Sequence, residues 1–171
     1  MKAIVLLILA ISLNLFMTCC SKLFPDENLT MKRKDYVGNE LKTDGYYSYY
    51  FSEGKSYGTF FYKNGVVLDV PGKDGNYSEE RFLDEELIKH VKQHKSYWSI
   101  FEINNDTIII QGWGYSDGGG LPVVTRYGKV LNDTTFVINK SECRGKITEI
   151  NEVYYYRQFS PKPDSTNVYI K

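Results

Sequence analysis

Residues 57–70, Tyr57-Gly-Thr-Phe-Phe-Tyr-Lys-Asn-Gly-Val-Val-Leu-Asp-Val70, decide the fold. Two runs rich in aromatic and β-branched residues flank Lys63-Asn64-Gly65, and such residues favour extended chain. Asn-Gly supplies the positive φ angles of a tight hairpin turn. The stretch therefore predicts two antiparallel strands, Tyr57 to Tyr62 and Val66 to Val70, the second ended by Pro71-Gly72.

The same grammar extends in both directions. Upstream, the aromatic run from Tyr46 to Phe51 predicts a strand with Tyr47, Tyr49 and Phe51 on one face and Tyr46, Ser48 and Tyr50 on the other. Tyrosine on both faces suits a strand covered on one side and half-wet on the other. Downstream, an amphipathic helix is expected over Ser78 to His94, with Ser78 as its cap and Leu83, Leu87 and Val91 as its apolar stripe. Further strands are expected at Tyr97 to Ile103, Thr107 to Trp113, Val123 to Leu131, Thr135 to Asn139, Lys146 to Ile150 and Val153 to Phe159. Asn104-Asn105-Asp106 and Asn132-Asp133 read as short turns between them. Ser116 to Pro122, which holds Gly118-Gly119-Gly120, is expected to be the most flexible connection.

Links this short join antiparallel neighbours, and a long crossover surrounds the helix alone. The expected fold is mainly β: an antiparallel meander curling into a barrel or half-barrel with one amphipathic helix. A two-layer β-sandwich is the alternative. The chain has 171 residues, which suits a single domain with a real core. Lys and Arg number 21 and so do Asp and Glu, so no net charge favours nucleic acid as a partner. A mean hydropathy of −0.38 excludes a polytopic helical membrane protein.

The N-terminus reads differently from the rest. Lys2 precedes an apolar run from Ala3 to Met17, the pattern of a secretory signal and too short for a comfortable membrane span. Phe16-Met17-Thr18-Cys19-Cys20-Ser21 follows, and this start resembles a bacterial lipoprotein signal, in which a cysteine becomes the acylated first residue of the mature chain. The resemblance implies lipidation at Cys19, with Cys20 as the alternative. Phe16 and Thr18 stand where that pattern prefers an apolar and a small residue. Residues 1–18 are thus expected as signal peptide, 19–40 as a lipid-anchored tether with one helical turn around Leu29 to Tyr36, and 41–171 as the β-domain. Cys20 and Cys143 would remain as thiols or as a pair; spacing alone does not decide.

Taken together, the arrangement is similar to lipocalin-like lipoproteins of Bacteroidota over most of residues 45 to 160. The similarity rests on the lipoprotein-like start, the Tyr62-Lys-Asn-Gly-Val-Val-Leu hairpin and the Asp106-Thr-Ile-Ile-Ile-Gln run. It implies an envelope location, lipid anchoring at the outer membrane and a β-barrel domain. The expected function is non-enzymatic binding of a small ligand or of another envelope protein. A structural or assembly lipoprotein is a further alternative.

Candidate ligand-binding residues come from the aromatic excess, fifteen Tyr, nine Phe and two Trp. Tyr47, Tyr49, Trp98, Trp113 and Tyr115 offer rings for stacking, and Arg126 offers a carboxylate partner inside a barrel. Tyr154, Tyr155 and Tyr156 must alternate faces, so they cannot all share a pocket. Structural filling of a small barrel is the plainer use of these rings. Glu86, His90 and His94 repeat every four residues and form weak candidates for a metal or a hydrolytic site, without the His-Glu-x-x-His pattern. Asp69 and Asp74, around Pro71-Gly72, read as turn residues. No Gly-x-Ser-x-Gly or phosphate-binding loop is present, and neither a cofactor nor a catalytic residue is expected.

Overall fold

The computed structural model describes residues 25–50, 56–72, 84–116 and 119–171. The expected signal at 1–18, Cys19, Cys20 and residues 78–83 of the expected helix lie outside the described residues. Eight strands form a closed antiparallel barrel in simple sequence order: β1 (Gly45–Tyr50), β2 (Ser56–Phe61), β3 (Val66–Pro71), β4 (Trp98–Asn104), β5 (Thr107–Trp113), β6 (Val123–Asn132), β7 (Thr135–Cys143) and β8 (Lys146–Gln158). The barrel and its antiparallel meander are those expected from the turn pattern. Closure comes from β1 pairing with β8, with Gly45 opposite Gln158 and Ser48 opposite Tyr155. Full closure removes the exposed sheet edges that an open meander would present.

The turns explain the register. Gly65 sits at φ 77°, as the Asn64-Gly65 turn requires. Asn105 and Arg144 also adopt positive φ, at 57° and 50°, closing the β4–β5 and β7–β8 hairpins. Asn132 Oδ1 accepts from the Thr134 backbone N–H at 3.0 Å, the side-chain turn that makes asparagine useful there. The two strands expected at Lys146 to Ile150 and Val153 to Phe159 are one continuous strand: Glu152 pairs with Ile138 and Glu149 with Lys140, and β8 runs on through the irregularity at Ile150 and Asn151 between them.

Two apolar clusters lie on opposite faces of the sheet. Inside the barrel, Leu41, Tyr47, Phe61, Val67, Phe101, Ile108, Phe136, Ile138 and Tyr154 pack together. Their rings meet at close range; Phe61 and Phe101 stand edge-on at 4.9 Å, and Phe136 and Tyr154 stack at 4.5 Å. Outside, Tyr46, Phe60, Val66, Leu68, Trp98, Ile100 and Trp113 form a second core. That outer core is covered by three elements: the N-terminal segment, the helix and the C-terminal tail.

The helix α1 (Glu85–Lys92) is capped by Asp84, whose Oδ1 accepts from the Glu86 and Leu87 amides at 3.0 Å each. Val91 is buried, and Leu87 and Ile88 pack beside it on the outer core. Its C-cap is Gln93, so His94 falls beyond the helix rather than on it. Among the described residues no helix is long and apolar enough to cross a membrane.

The expected helical turn around Leu29 to Tyr36 is absent. Residues 25–44 instead run extended along the barrel wall. Leu29 and Met31 alternate onto the outer core, and buried Gln111 supplies what the strap backbone needs: its Oε1 accepts from the Thr30 and Met31 amides at 2.8 Å each. Tyr36 N–H then bonds Lys63 O at the far end, and Leu41 enters the barrel interior as a plug. The C-terminal tail is tied down by Tyr62, which donates to Pro163 O at 2.6 Å, and by the Lys92–Asp164 ion pair at 2.7 Å. Tyr46 and Tyr47, on opposite faces of β1, are therefore both buried, at 2% and 1% exposure, where one wet face was expected.

Candidate functional site

Antiparallel strands bring the start of one strand to the end of the next. Tyr57 and Thr59 open β2, Asp69 closes β3, Ser99 opens β4, Gly112 closes β5, Val124 and Arg126 open β6, Ser141 closes β7 and Thr148 opens β8. The ladders place Thr59 opposite Asp69, Ser99 opposite Gly112, Gly112 opposite Val124, Arg126 opposite Ser141 and Ser141 opposite Thr148. Side chains opposite one another share a face, so this whole belt points into one end of the lumen. The other end is packed with aromatic rings. Here the interior holds a cavity of about 430 Å³.

The cavity's floor is polar and its charges are organised across the lumen. Arg126 reaches from β6 to Asp69 on β3, Nη2 to Oδ2 at 3.3 Å. Thr59 donates its hydroxyl to the other Asp69 oxygen at 2.7 Å. On the opposite side Arg126 Nη1 lies 3.4 Å from the Tyr154 hydroxyl, which in turn donates to Glu152 at 2.9 Å. A chain of contacts thus runs Thr59, Asp69, Arg126, Tyr154, Glu152 around the floor. The ion pair is enclosed but not dry, with side chains 24% and 16% exposed to the cavity.

Burial opposes the Arg126 charge, but Asp69 above all, with Tyr154 and Glu152, more than offsets it and holds the guanidinium pKa above its ordinary value. Burial pushes the Tyr154 phenol up; Arg126 pulls it back and Glu152 adds to the rise. Tyr57 is raised by burial and by Asp69. Tyr97, at the mouth with Tyr115, is pushed up to about 12 by burial and by its neighbour. These phenols are neutral donors at neutral pH.

Small residues make the room. An added Cβ at Gly112 would stand 2.1 Å from Ser99 Oγ, and one at Gly114 would stand 2.7 Å from a Val124 methyl. Glycine at both places lets the wall residues of neighbouring strands occupy the lumen side.

The structure distributes the aromatic candidates over three places. Arg126 is at the centre of the cavity floor, and Trp113 and Tyr115 are at its mouth. Tyr115 is 73% exposed and accepts a hydrogen bond from Ser96 at 2.9 Å. Trp113 is mostly buried on the outer face; its Nε1 donates to Glu27 O at 2.8 Å and Lys95 sits 4.3 Å from its ring. Trp98 lies wholly outside the lumen, under the helix, donating to Lys92 O at 3.1 Å. Tyr47 belongs to the packed end, where it donates to Asp133 O at 2.7 Å. Tyr49 is half-buried with its ring 5.3 Å from Tyr154 and does not line the cavity.

Glu86, His90 and His94 are exposed on and beyond α1, and none lines the cavity. The two imidazoles lie 4.2 Å apart, and His94 Nδ1 is 2.7 Å from His90 O. No group of three or more metal-ligating side chains exists among the described residues. Cys143 ends β7 with no disulfide partner among the described residues.

Three floor residues were not singled out from sequence. Asp69 is a strand residue facing inward, not a turn residue, because Pro71 extends β3 two residues beyond it. Glu152 and Tyr154 lie two apart on β8, hence on one face. The alternation of Tyr154, Tyr155 and Tyr156 holds, with Tyr154 buried and Tyr155 52% exposed. A period-two count back from Tyr154 was the available signal for Glu152. The chain matches no known protein-family model, no curated protein and no solved structure.

Proposed function

We propose that this protein is a non-enzymatic lipoprotein of the bacterial envelope, anchored at the outer membrane, that takes a small ligand into the open end of its barrel. The 430 Å³ cavity carries the binding half of this reading. Its volume falls in the range of about 300–1,000 Å³ usual for small-molecule sites. It also combines the two ingredients of such sites, a few convergent polar groups and surrounding aromatic surface. Packing alone does not call for it: the other end of the same lumen is filled by Tyr47, Phe61, Phe101 and Phe136.

The anchoring half rests on the lipoprotein-like signal. Acyl chains contribute about 0.8 kcal/mol per buried CH₂, so two or more hold a protein on the bilayer. The path of the strap adds an orientation. Its first residues are fixed at the cavity end: Glu27 N–H bonds Leu121 O at 2.9 Å, a Glu27 carboxylate oxygen accepts from Val123 N–H at 2.8 Å, and the other pairs with Arg144 at 2.7 Å. Pro25 stands six positions after Cys19, a reach of about 20 Å at full extension. A lipid on Cys19 would hold the cavity mouth toward the membrane surface.

Each half has its own test. Cells fed labelled palmitate should incorporate label into the protein, and Cys19→Ser should abolish it and release the protein from membranes. Label retained in Cys19→Ser but lost in Cys20→Ser moves the acyl group to the alternative cysteine; no label in either parent or variant removes the lipoprotein reading. For the cavity, 2-naphthol serves as a small neutral fluorescent probe. It should bind saturably, and Val124→Trp, which fills the lumen from β6, should block it while leaving the circular dichroism spectrum intact. Undiminished binding to a folded Val124→Trp protein would place the probe elsewhere.

A further inference from the structure

The charges in the lumen bear on which ligand it accepts. Among the described residues, three charged side chains line the cavity: Asp69, Arg126 and Glu152. Two carboxylates against one guanidinium leave an excess of one negative charge in a confined space. At the mouth, Lys95 is already paired with Asp26 at 3.6 Å and lies over the Trp113 ring, so among the described residues this rim cation is committed elsewhere.

The excess has a particular address. Asp69 is engaged at both oxygens, by Thr59 and by Arg126. Glu152 accepts from Tyr154 through Oε2, and among the described residues no donor meets its Oε1. That oxygen is not sealed in protein either, since the buried side-chain atom lacking a partner among the described residues is Asn64 Oδ1, at the other end of the barrel. Glu152 Oε1 therefore opens on the cavity. An anion entering the same space would have to approach Arg126, which Asp69 already holds and which two carboxylates flank. Like charges brought together in a partly desolvated pocket repel strongly. The walls offer neutral hydroxyls from Ser99, Ser141 and Thr148, and the mouth offers the rings of Tyr57, Tyr97 and Tyr115. Aromatic faces attract cations and exert no such pull on anions.

We infer that the cavity selects a small organic cation, a protonated amine on an aromatic or aliphatic body, with its ammonium group against Glu152 and its body among the mouth tyrosines. This rests on the binding role proposed above and specifies its ligand class. An ammonium completes the carboxylate's hydrogen bonding and neutralises the lumen in one contact.

Isothermal titration of the full chain in nonionic detergent with three compounds of one shape tests it: phenethylamine, 2-phenylethanol and phenylacetate. Phenethylamine should bind at least tenfold more tightly than the alcohol, with the acid weakest, and added salt should weaken the amine alone. Glu152→Gln keeps the side chain's shape and its bond from Tyr154. It should erase the preference for the amine while leaving the alcohol's affinity unchanged. Tighter binding of phenylacetate than of phenethylamine overturns the cation inference and leaves a binding cavity standing. An amine preference that survives Glu152→Gln overturns the placement at Glu152. Binding by none of the three overturns the inference together with the binding role beneath it.

Discussion

Replacing Tyr154 by Phe separates the two jobs of that side chain. The ring stacks on Phe136 at 4.5 Å and 7°, within the packed half of the lumen. The hydroxyl bridges the charged half, donating to Glu152 at 2.9 Å and lying 3.4 Å from Arg126 Nη1. Tyr154→Phe keeps the stack and deletes the bridge. A hydrogen bond to a charged group contributes roughly 1.5–3 kcal/mol when dry. The 3.4 Å contact to Arg126 is too long to add much, and water in the cavity can replace part of the 2.9 Å bond. The expected loss is therefore about 1–2 kcal/mol, or roughly 2–8 °C in Tm for a chain of this size. Tyr154→Leu also removes the stacked ring and leaves space beneath Phe136, which raises the cost to about 3–5 kcal/mol. Urea unfolding followed by far-ultraviolet circular dichroism, with unchanged m-values, measures both. An absorbance titration of tyrosinate should lose one late-ionising phenol in Tyr154→Phe, since Tyr154 is among those that burial raises. If Tyr154→Phe is as damaging as Tyr154→Leu, the hydroxyl is integral to the core and the division of the lumen into packed and charged halves is wrong.

Three other perturbations probe the scaffold. Gln111→Leu preserves volume but strands the Thr30 and Met31 amides that now share Gln111 Oε1; a loss of about 2–4 kcal/mol is expected, with faster hydrogen exchange at those two amides. Alkaline pH should unfold the protein steeply: Tyr47, Tyr62 and Tyr154, each at most 6% exposed, have phenols raised by burial above an ordinary value of 10. Their stabilisation is fully present below pH 10 and is lost as pH rises toward the folded-state values, costing about 1.4 kcal/mol per residue by pH 11, as urea midpoints at pH 8 to 11 would show. Gly65→Ala places a Cβ 1.9 Å from Lys34 O at φ +77°, so it should lower stability by more than about 1 kcal/mol in thermal denaturation.

The barrel was legible because its information is local. Asn64-Gly65, Asn105-Asp106 and the Asn132 turn each close a hairpin within a few residues, and alternating runs between them fix which residues share a face. The wrapping of the barrel was hidden for the opposite reason. Residues 25–44 carry no long periodic stretch; they are held by Gln111, about eighty positions away, and by single apolar contacts. Without that strap, the face of β1 that carries Tyr46 would be left to solvent, which is why one wet face was expected. The floor of the cavity was half visible. Arg126 was readable as a carboxylate partner inside a barrel, but Asp69 meets it only because β3 and β6 face each other across a closed lumen. No spacing in the sequence encodes that distance. A lone acid beside Pro-Gly is more often a turn residue, and Glu152 looked like an ordinary break between two strands.

The charged trio itself discriminates a binding barrel from a structural one. Enclosed ion pairs rarely stabilise a fold as much as apolar packing of similar volume, because desolvation consumes most of the Coulomb attraction. Asp69, Arg126 and Glu152 with their hydroxyl partners occupy space that Leu and Met could fill, as aromatic rings fill the far end. Asp69→Leu, Arg126→Met and Glu152→Leu made together leave no unpaired charge among the described lumen residues and enlarge its apolar contact. If the trio serves a ligand, the triple variant should be as stable as the parent or more stable by about 1–4 kcal/mol, while phenethylamine binding disappears. Single substitutions are less informative, since Arg126→Met alone strands Asp69 beside Glu152 and destabilises for either role. A triple variant several kcal/mol less stable than the parent would instead make the trio part of the scaffold, and the cavity above it would lose its claim to function.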